Sequence, residues 1–248
     1  MVIVVIIIKQ EKDLNNPVRL IMTKKEISII IPTLNEEKTL ARCLESIAGN
    51  SDIEIIVSDG GSTDETREII KRHKDVKVVS SLKGRGVQMN TGASYSNGEI
   101  LLFLHADCII SPRALLNIGD VFQNKKIVGG AFRIKLLSDK LPYRFIETGI
   151  NLRSKLFKLP YGDQGLFVKR SVFMEIGCFK KMNVCEDLDF IYRLKKRGKI
   201  AILDEKILSS VRRWEMNGIV RTTFRNQFLL ASYVIRQKAF NFFIFFRK

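Results

Sequence analysis

Four short apolar runs, at 27–31, 53–57, 76–79 and 100–104, each give way to a polar or glycine-rich turn and then to a helical pattern. Runs of Ile, Val and Leu without polar alternation suit strands covered on both faces, and a helix between successive strands makes them parallel. The pattern therefore predicts an α/β fold: a mostly parallel, Rossmann-like sheet with flanking helices and right-handed crossovers. After the first run, Asn35 can cap a helix with Glu36 and Glu37 in its first turn and Leu40, Leu44, Ile47 and Ala48 at helical spacing. After the second, Ser62-Thr63-Asp64-Glu65 has capping-box spacing ahead of a buried face at Ile69 and Ile70. Ser111-Pro112 marks another helix start, and 127–136 reads as a strand holding the flexible pair Gly129-Gly130.

The second half is less regular, with a helical stretch over 143–157, a loop at 159–165, a strand at 166–168 and a helix from near Glu186. No linker or repeat divides the halves, so 23–210 reads as one domain and 211–248 as a basic amphipathic helical tail. Residues 1–22 read as an extension or a misassigned start. Their apolar run at 1–8 is too short to span a bilayer and lacks a signal peptide's flanks, and Met22 stands just before the first patterned strand. In the tail, Phe224, Phe228, Ala231 and Ile235 recur at helical spacing beside Arg221, Arg225, Arg236 and Lys238, with an aromatic run at 240–246. Such a face can lie on a bilayer without crossing it, or pack on the domain or on a second copy as a homodimer.

A net charge of +16 favours polyanionic partners: nucleic acid, an anionic membrane surface or a phosphorylated substrate. The absence of a zinc finger, an RNP aromatic set or a basic-region heptad argues against nucleic acid. Cys43, Cys108, Cys178 and Cys185 have neither zinc nor disulfide spacing and read as reduced thiols, which points to a cytoplasmic protein, peripheral at the inner face of the membrane.

In an open parallel sheet, ligands sit beyond the carboxyl ends of the strands. Four polar sets fall there: Pro32-Thr33-Leu34-Asn35-Glu36, Asp59-Gly60-Gly61-Ser62, Lys83-Gly84-Arg85-Gly86 and His105-Ala106-Asp107. Asp59 can accept from a base N–H or ribose hydroxyl, Arg85 can fork onto a diphosphate, and Asp107 can hold Mg²⁺ or Mn²⁺. Taken singly, each is a turn or a solvated loop charge; their placement at successive strand ends makes them one set.

Those sets, with Ser62-Thr63-Asp64 and the run Val87-Gln88-Met89-Asn90-Thr91-Gly92-Ala93, resemble the inverting family 2 glycosyltransferases of the GT-A fold over nearly all of 27–202. The resemblance implies that Pro32, Leu34, Glu36 and Asp59 contact base and ribose, Arg85 the nucleotide or its diphosphate, and Asp107 a divalent metal, Mg or Mn. The family's D-x-D motif is here His-Ala-Asp, and His105 is read first as a sugar or phosphate contact. Cys185-Glu186-Asp187-Leu188-Asp189 resembles the family's acidic segment, which gives Asp187 the role of general base with Glu186 beside it. Acidic residues in a first helical turn are also favoured by the dipole alone.

Asp163 and Gln164 are candidates for sugar or acceptor hydroxyls, and Arg212, Arg213 and Trp214 for a diphosphate or phospholipid head. The implied enzyme is a hexosyltransferase using a UDP- or GDP-type sugar donor and an acceptor hydroxyl, lipid or lipid-linked. Two rivals stand beside it. A sugar nucleotidyltransferase would want a glycine-rich loop after the first strand, where Pro32-Thr33-Leu34-Asn35 stands. A basic membrane- or nucleic-acid-binding protein with a degenerate sugar site would account for His105.

Overall fold

The computed structural model describes residues 26–50 and 52–245, so the run at 1–8 and Met22 lie outside the described residues. Strands β1 (Ile27–Thr33), β2 (Ile53–Asp59), β3 (Val76–Ser80) and β4 (Ile100–Phe103) alternate with helices α1 (Leu40–Ile47), α2 (Thr66–Lys71) and α3 (Arg85–Ser94). Then come β5 (Cys108–Ile109), α4 (Pro112–Val121), β6 (Ile127–Leu136), α5 (Leu141–Phe157), β7 (Leu166–Lys169) and α6 (Arg170–Glu175). The chain ends through α7 (Glu186–Lys195), β8 (Lys199–Ser209), α8 (Arg212–Asn217) and α9 (Ile219–Phe245). One eight-stranded sheet runs β3-β2-β1-β4-β7-β6-β8-β5. Its first four strands pair in parallel as the sequence indicates, whereas β7 is antiparallel to both neighbours and β5 to β8, so the second half is mixed.

Alternation along the central strands builds two cores. Ile29 and Ile31 of β1, with Leu102 and Phe167, join Leu40 and Leu44 of α1, Ile69 and Ile70 of α2 and Leu115 of α4. Ile30, with Leu101, Phe103 and Val168, faces the other way onto Met89 of α3, Phe173 of α6 and Phe190 and Leu194 of α7. Each such side chain taken out of water contributes roughly 1.5–3 kcal/mol. A third cluster joins Ile134 and Leu136 of β6 to Tyr143 and Ile150 of α5 and Trp214 of α8.

Several local expectations are corrected. Asn35 does not cap α1: it takes a left-handed φ of +57°, and α1 begins later, at Leu40, behind Thr39. The Ser62–Glu65 capping box does not form, because Ser62 bonds to Asp59 and the α2 start is met by Asp64 Oδ1 accepting from Thr66 N at 3.0 Å. β3 is a sheet edge with Val78 half exposed, not a strand buried on both faces. Gly129 and Gly130 serve close packing, not flexibility: a Cβ on Gly129 would lie 2.6 Å from the Phe167 carbonyl oxygen, and one on Gly130 2.5 Å from that of Ala201. By contrast, Ser111 caps α4 through Ala114 N with Pro112 in the first turn, as its sequence indicates.

The tail is helical, but its expected apolar face does not pack on the domain. Phe224, Phe228, Ala231 and Ile235 are all exposed, while Thr222 and Tyr233 on the opposite side are buried. The side chains of Arg236, Lys238 and the 240–246 run lie outside the described residues. Among the described residues no helix is long and apolar enough to cross a membrane.

Glu54, buried in β2, accepts from Ser28 Oγ at 2.6 Å, Asn97 N at 2.8 Å and Asn97 Nδ2 at 2.9 Å, tying β2 to β1 and to the turn before β4. Burial pushes its carboxyl up, but the hydrogen bonds outweigh this and hold it below the ordinary value of 4.5. Its stabilisation is thus present above the unfolded pKa and lost as pH falls through the folded one. Glu54→Gln is expected to cost about 1–2 kcal/mol at neutral pH, with the gap to wild type closing as pH falls through the lowered carboxyl pKa. Urea midpoints at neutral pH and below that pKa test this, and an equal gap at both would remove the carboxylate's charge from the account.

Candidate active site

The ends of β1 and β2 are bound into one platform. Asp59, 2% exposed, accepts from Ser62 N at 3.1 Å, Ser62 Oγ at 2.5 Å and Arg67 Nε at 2.8 Å. Burial pushes this carboxyl up, but Ser62 and Arg67 outweigh burial and keep it below the usual carboxylate range. Asn35 N donates to Ser62 Oγ at 3.0 Å, and Asn35 Oδ1 accepts from Thr63 N at 2.9 Å. From α3, Gln88 Nε2 donates to the Thr33 and Ser58 carbonyls at 2.6 and 3.2 Å, pinning both strand ends. A Cβ on Gly60 would lie 2.9 Å from that nitrogen, so the turn takes a glycine there. Pro32 and Leu34 are half-buried beside this platform.

Next to it opens a cavity of about 400 Å³. Its lining is partly charged or polar, with Arg85, His105, Asp107, Asp163 and Asp187, and partly apolar, with Val184, Leu188, Trp214, Leu229 and Leu230; Arg213 and Arg225 also contribute. Asp187 stands in the first turn of α7, entered through Cys185 at a left-handed φ of +64°. Its Oδ1 accepts from Leu188 N and its Oδ2 from Gly162 N, both at 2.8 Å. A Cβ on Gly162 would lie 3.0 Å from His105 Nε2 and 3.4 Å from Asp187 Oδ2, so only a bare backbone fits snugly between imidazole and carboxylate.

Charge in the cavity is arranged around Arg85, whose Nε donates to Glu186 Oε1. Burial pulls that guanidinium's pKa down, but Asp187, Glu186 and Asp163 override it. His105 is pushed down to about 3 by burial and by Arg85 and Arg213, so its imidazole is neutral; its Nε2 is buried with no hydrogen-bond partner among the described residues. Burial raises Asp163 to about 6, with Asp187 and Asp107 adding and Arg153 opposing, and its Oδ1 is likewise unpartnered. Asp107 is raised by burial and by Glu36, against Arg212 and Arg213.

Of the residues expected from sequence, Arg85, His105, Asp107, Asp163, Asp187, Arg213 and Trp214 meet on this cavity. The others stand apart from its lining. Glu186, 1% exposed, is paired with the Arg85 guanidinium. Gln164 is fully buried: its Oε1 accepts from Ser154 Oγ at 2.7 Å and its Nε2 donates to the Phe132 carbonyl at 2.9 Å, so both ends of its amide are engaged within the fold. Arg212 pairs with Glu36 at 2.7 Å, and both act on Asp107, which places this pair between platform and cavity.

Sequence reasoning gave no role to Gln88, to Tyr161, whose ring lies 3.4 Å under the Arg153 guanidinium, or to the α9 residues Leu229 and Leu230. The last two were legible as the helical face that carries Thr222 and Tyr233. Among the described residues, no group of three His, Cys, Asp or Glu side chains forms a ready metal shell.

Comparison with known proteins shows the family and the fold. The model of glycosyl transferase family 2 matches residues 28–183. An uncharacterized glycosyltransferase of Nostoc sp. is 35% identical over 203 residues, covering 73% of this chain and 63% of its own length. The PGL/p-HBAD biosynthesis glycosyltransferase of Mycobacterium tuberculosis is 32% identical over 193 residues, covering 69% of this chain and 70% of its own. Among solved structures, S. aureus TarS 1-349 in complex with UDP-GlcNAc superposes with a TM-score of 0.61 at 20% identity, over 75% of this chain and 58% of that one. The mannosyltransferase PcManGT of Pyrobaculum calidifontis, in complex with GDP-Man and Mn²⁺, gives 0.61 at 22%, over 75% and 57%. The structural likenesses show a shared GT-A fold, and the family match spans well over half the sequence. The chain belongs to glycosyl transferase family 2.

Proposed function

We propose that the protein transfers a hexose from a UDP- or GDP-type donor to an acceptor hydroxyl with inversion, Asp187 acting as general base. The observation that carries this reading is the meeting, around one cavity, of a buried carboxylate held by two backbone N–H groups with Arg85, His105 and Asp107. The donor class is supported by the UDP-GlcNAc and GDP-Man complexes of proteins that share the fold.

In this reading Pro32, Leu34, Glu36 and Asp59 border the base and ribose, and Arg85 and Arg213 face the diphosphate, with Arg212 behind them beside Glu36. The acceptor oxygen bonds to the anomeric carbon as the bond from that carbon to the diphosphate oxygen breaks. The acceptor proton passes to Asp187, and the bonding pair leaves with the diphosphate, whose charge the two arginines meet. A single displacement inverts the carbon without a covalent enzyme intermediate. Neutral His105 offers its unpartnered Nε2 to the sugar or a phosphate. Asp107, together with the unpartnered Asp163 Oδ1, offers the oxygen ligands that Mg²⁺ or Mn²⁺ takes. When bound, such an ion offsets charge on the diphosphate. The apolar part of the lining, with Trp214, Leu229 and Leu230, suits an acceptor whose hydroxyl is borne on an aliphatic chain.

The test is a thermal-shift screen of nucleoside diphosphates and their sugars, with and without Mn²⁺. A ligand near a hundredfold over its Kd adds about 2.7 kcal/mol, or roughly 5–10 °C in Tm for a chain of this size. No response to any nucleoside diphosphate, together with salt-sensitive duplex binding or pyrophosphate release from a nucleoside triphosphate, would sink the reading.

A further inference from the structure

We infer that the outer faces of α5 and α9 seat this protein on an anionic lipid bilayer, lying on its surface. This names a partner for the transferase reading and rests on that reading only for what the seat delivers. α9 is two-faced. Its inner side walls the cavity with Leu229 and Leu230, and Tyr233 OH donates to Asp189 Oδ1 of α7 at 3.2 Å. Its outer side carries Val220, Phe224, Phe228 and Ile235, between 62% and 83% exposed.

α5 repeats the arrangement. It buries Tyr143, Ile150 and Ser154 and turns Leu141, Phe145, Leu152 and Leu156 outward, 55–76% exposed. On a 3.6-residue repeat those four fall on one stripe opposite the buried face. α5 and the first residue of α9 meet at one core cluster, where Tyr143 and Ile150 join Trp214 of α8 and Ile146 and Ile219 pack against it. Exposed apolar residues arranged as a stripe on each of two helices mark an interaction surface, unlike the single exposed residues normal on any protein.

Charge selects the occupant. From Ile219 on the sequence has no Asp or Glu, while Arg221, Arg236, Lys238, Arg247 and Lys248 are basic, as is Arg225 of the cavity lining. Lys140, Lys155 and Lys158 stand exposed in or beside α5. A twofold contact between copies would set these bases against themselves, whereas an anionic leaflet complements them. No helix among the described residues meets the requirement for crossing a bilayer, so the fit is to a helix lying in the interface plane.

The experiment is flotation of the full chain with phosphatidylglycerol-rich vesicles and with phosphatidylcholine vesicles. Binding to the former, weak on the latter and reduced by salt, is expected. Phe224→Glu with Phe228→Glu is expected to weaken it by roughly a hundredfold, two buried phenyl groups being lost from the interface, while the Tm shift given by nucleoside diphosphates persists. Phe145→Glu on α5 supplies a second variant should the first fail to fold. Protein that stays below the anionic vesicles overturns the inference, as does a solution dimer that Phe228→Glu splits without any vesicle binding. Failure of flotation with the nucleotide response intact condemns the seat alone, and loss of the nucleotide response with flotation intact condemns the transferase reading alone.

Discussion

Replacing Asp187 with asparagine is expected to lower kcat by roughly 10²–10⁴, the range a positioned base contributes, with donor affinity unchanged. Asparagine is nearly isosteric and can still accept from either Gly162 N or Leu188 N, the two donors that hold the carboxylate. What it lacks is an oxygen basic enough to receive the acceptor proton. Nucleoside diphosphate release in the presence of acceptor measures the loss, and the Tm shift given by the donor nucleotide measures retained binding. Wild-type turnover in the variant would transfer the role to another carboxylate in the cavity, with Asp163 the next to test.

The second large effect is expected at Arg85, which acts on both stability and chemistry. Arg85→Ala removes the partner of Glu186, whose side chain is 2% exposed, and leaves a buried carboxylate uncompensated. Breaking such a pair from one side costs about 3–5 kcal/mol; with a third of the arginine side chain in solvent the low end applies, a fall in Tm of roughly 6–12 °C. Adding Glu186→Gln should restore most of the lost stability, since a neutral amide tolerates the site, yet leave transfer impaired because the diphosphate still lacks its guanidinium. Calorimetry on the single and double variants, set beside their turnover, separates the two roles. A double variant as unstable as Arg85→Ala alone would show that the ion pair is not what holds this corner together.

Much of the fold was legible because buried parallel strands write themselves as unbroken apolar runs. The ends of β1, β2, β3 and β6 fall within two residues of the expected ones, and the Ser111 cap and the start of α7 stand where the chain's own chemistry puts them. What the sequence hides is competition for partners. Ser62 has the spacing to cap α2 but spends its hydroxyl on Asp59, and Asn35 leaves the helix to bond across to the Ser62–Thr63 turn. No local rule distinguishes those choices, because the winning partner lies 27 or 28 residues away for Asn35.

The same holds in the site. Asp59, Arg85, His105, Asp107 and Asp187 are readable as strand-end and family-like motifs, whereas the Arg85–Glu186 pair spans 101 residues and the Arg212–Glu36 pair 176, which only the folded topology brings together. The family match itself ends at residue 183, short of Asp187, so the proposed base is supported by its setting in the cavity more than by the matched segment.

The two-faced character of α9 limits how this part of the chain can vary. One side must close a crevice and the other must tolerate whatever lies outside, and the two are separated only by rotation about the helix axis. Substitutions that keep each side's chemistry leave that arrangement intact. A single residue inserted between Gly218 and Phe228 turns everything beyond it by about 100°, which would bring Phe228 toward the crevice and swing Leu230 out of it. The segment is therefore fixed in phase more tightly than in composition, and relatives that keep its function should differ there in side chains far more readily than in length.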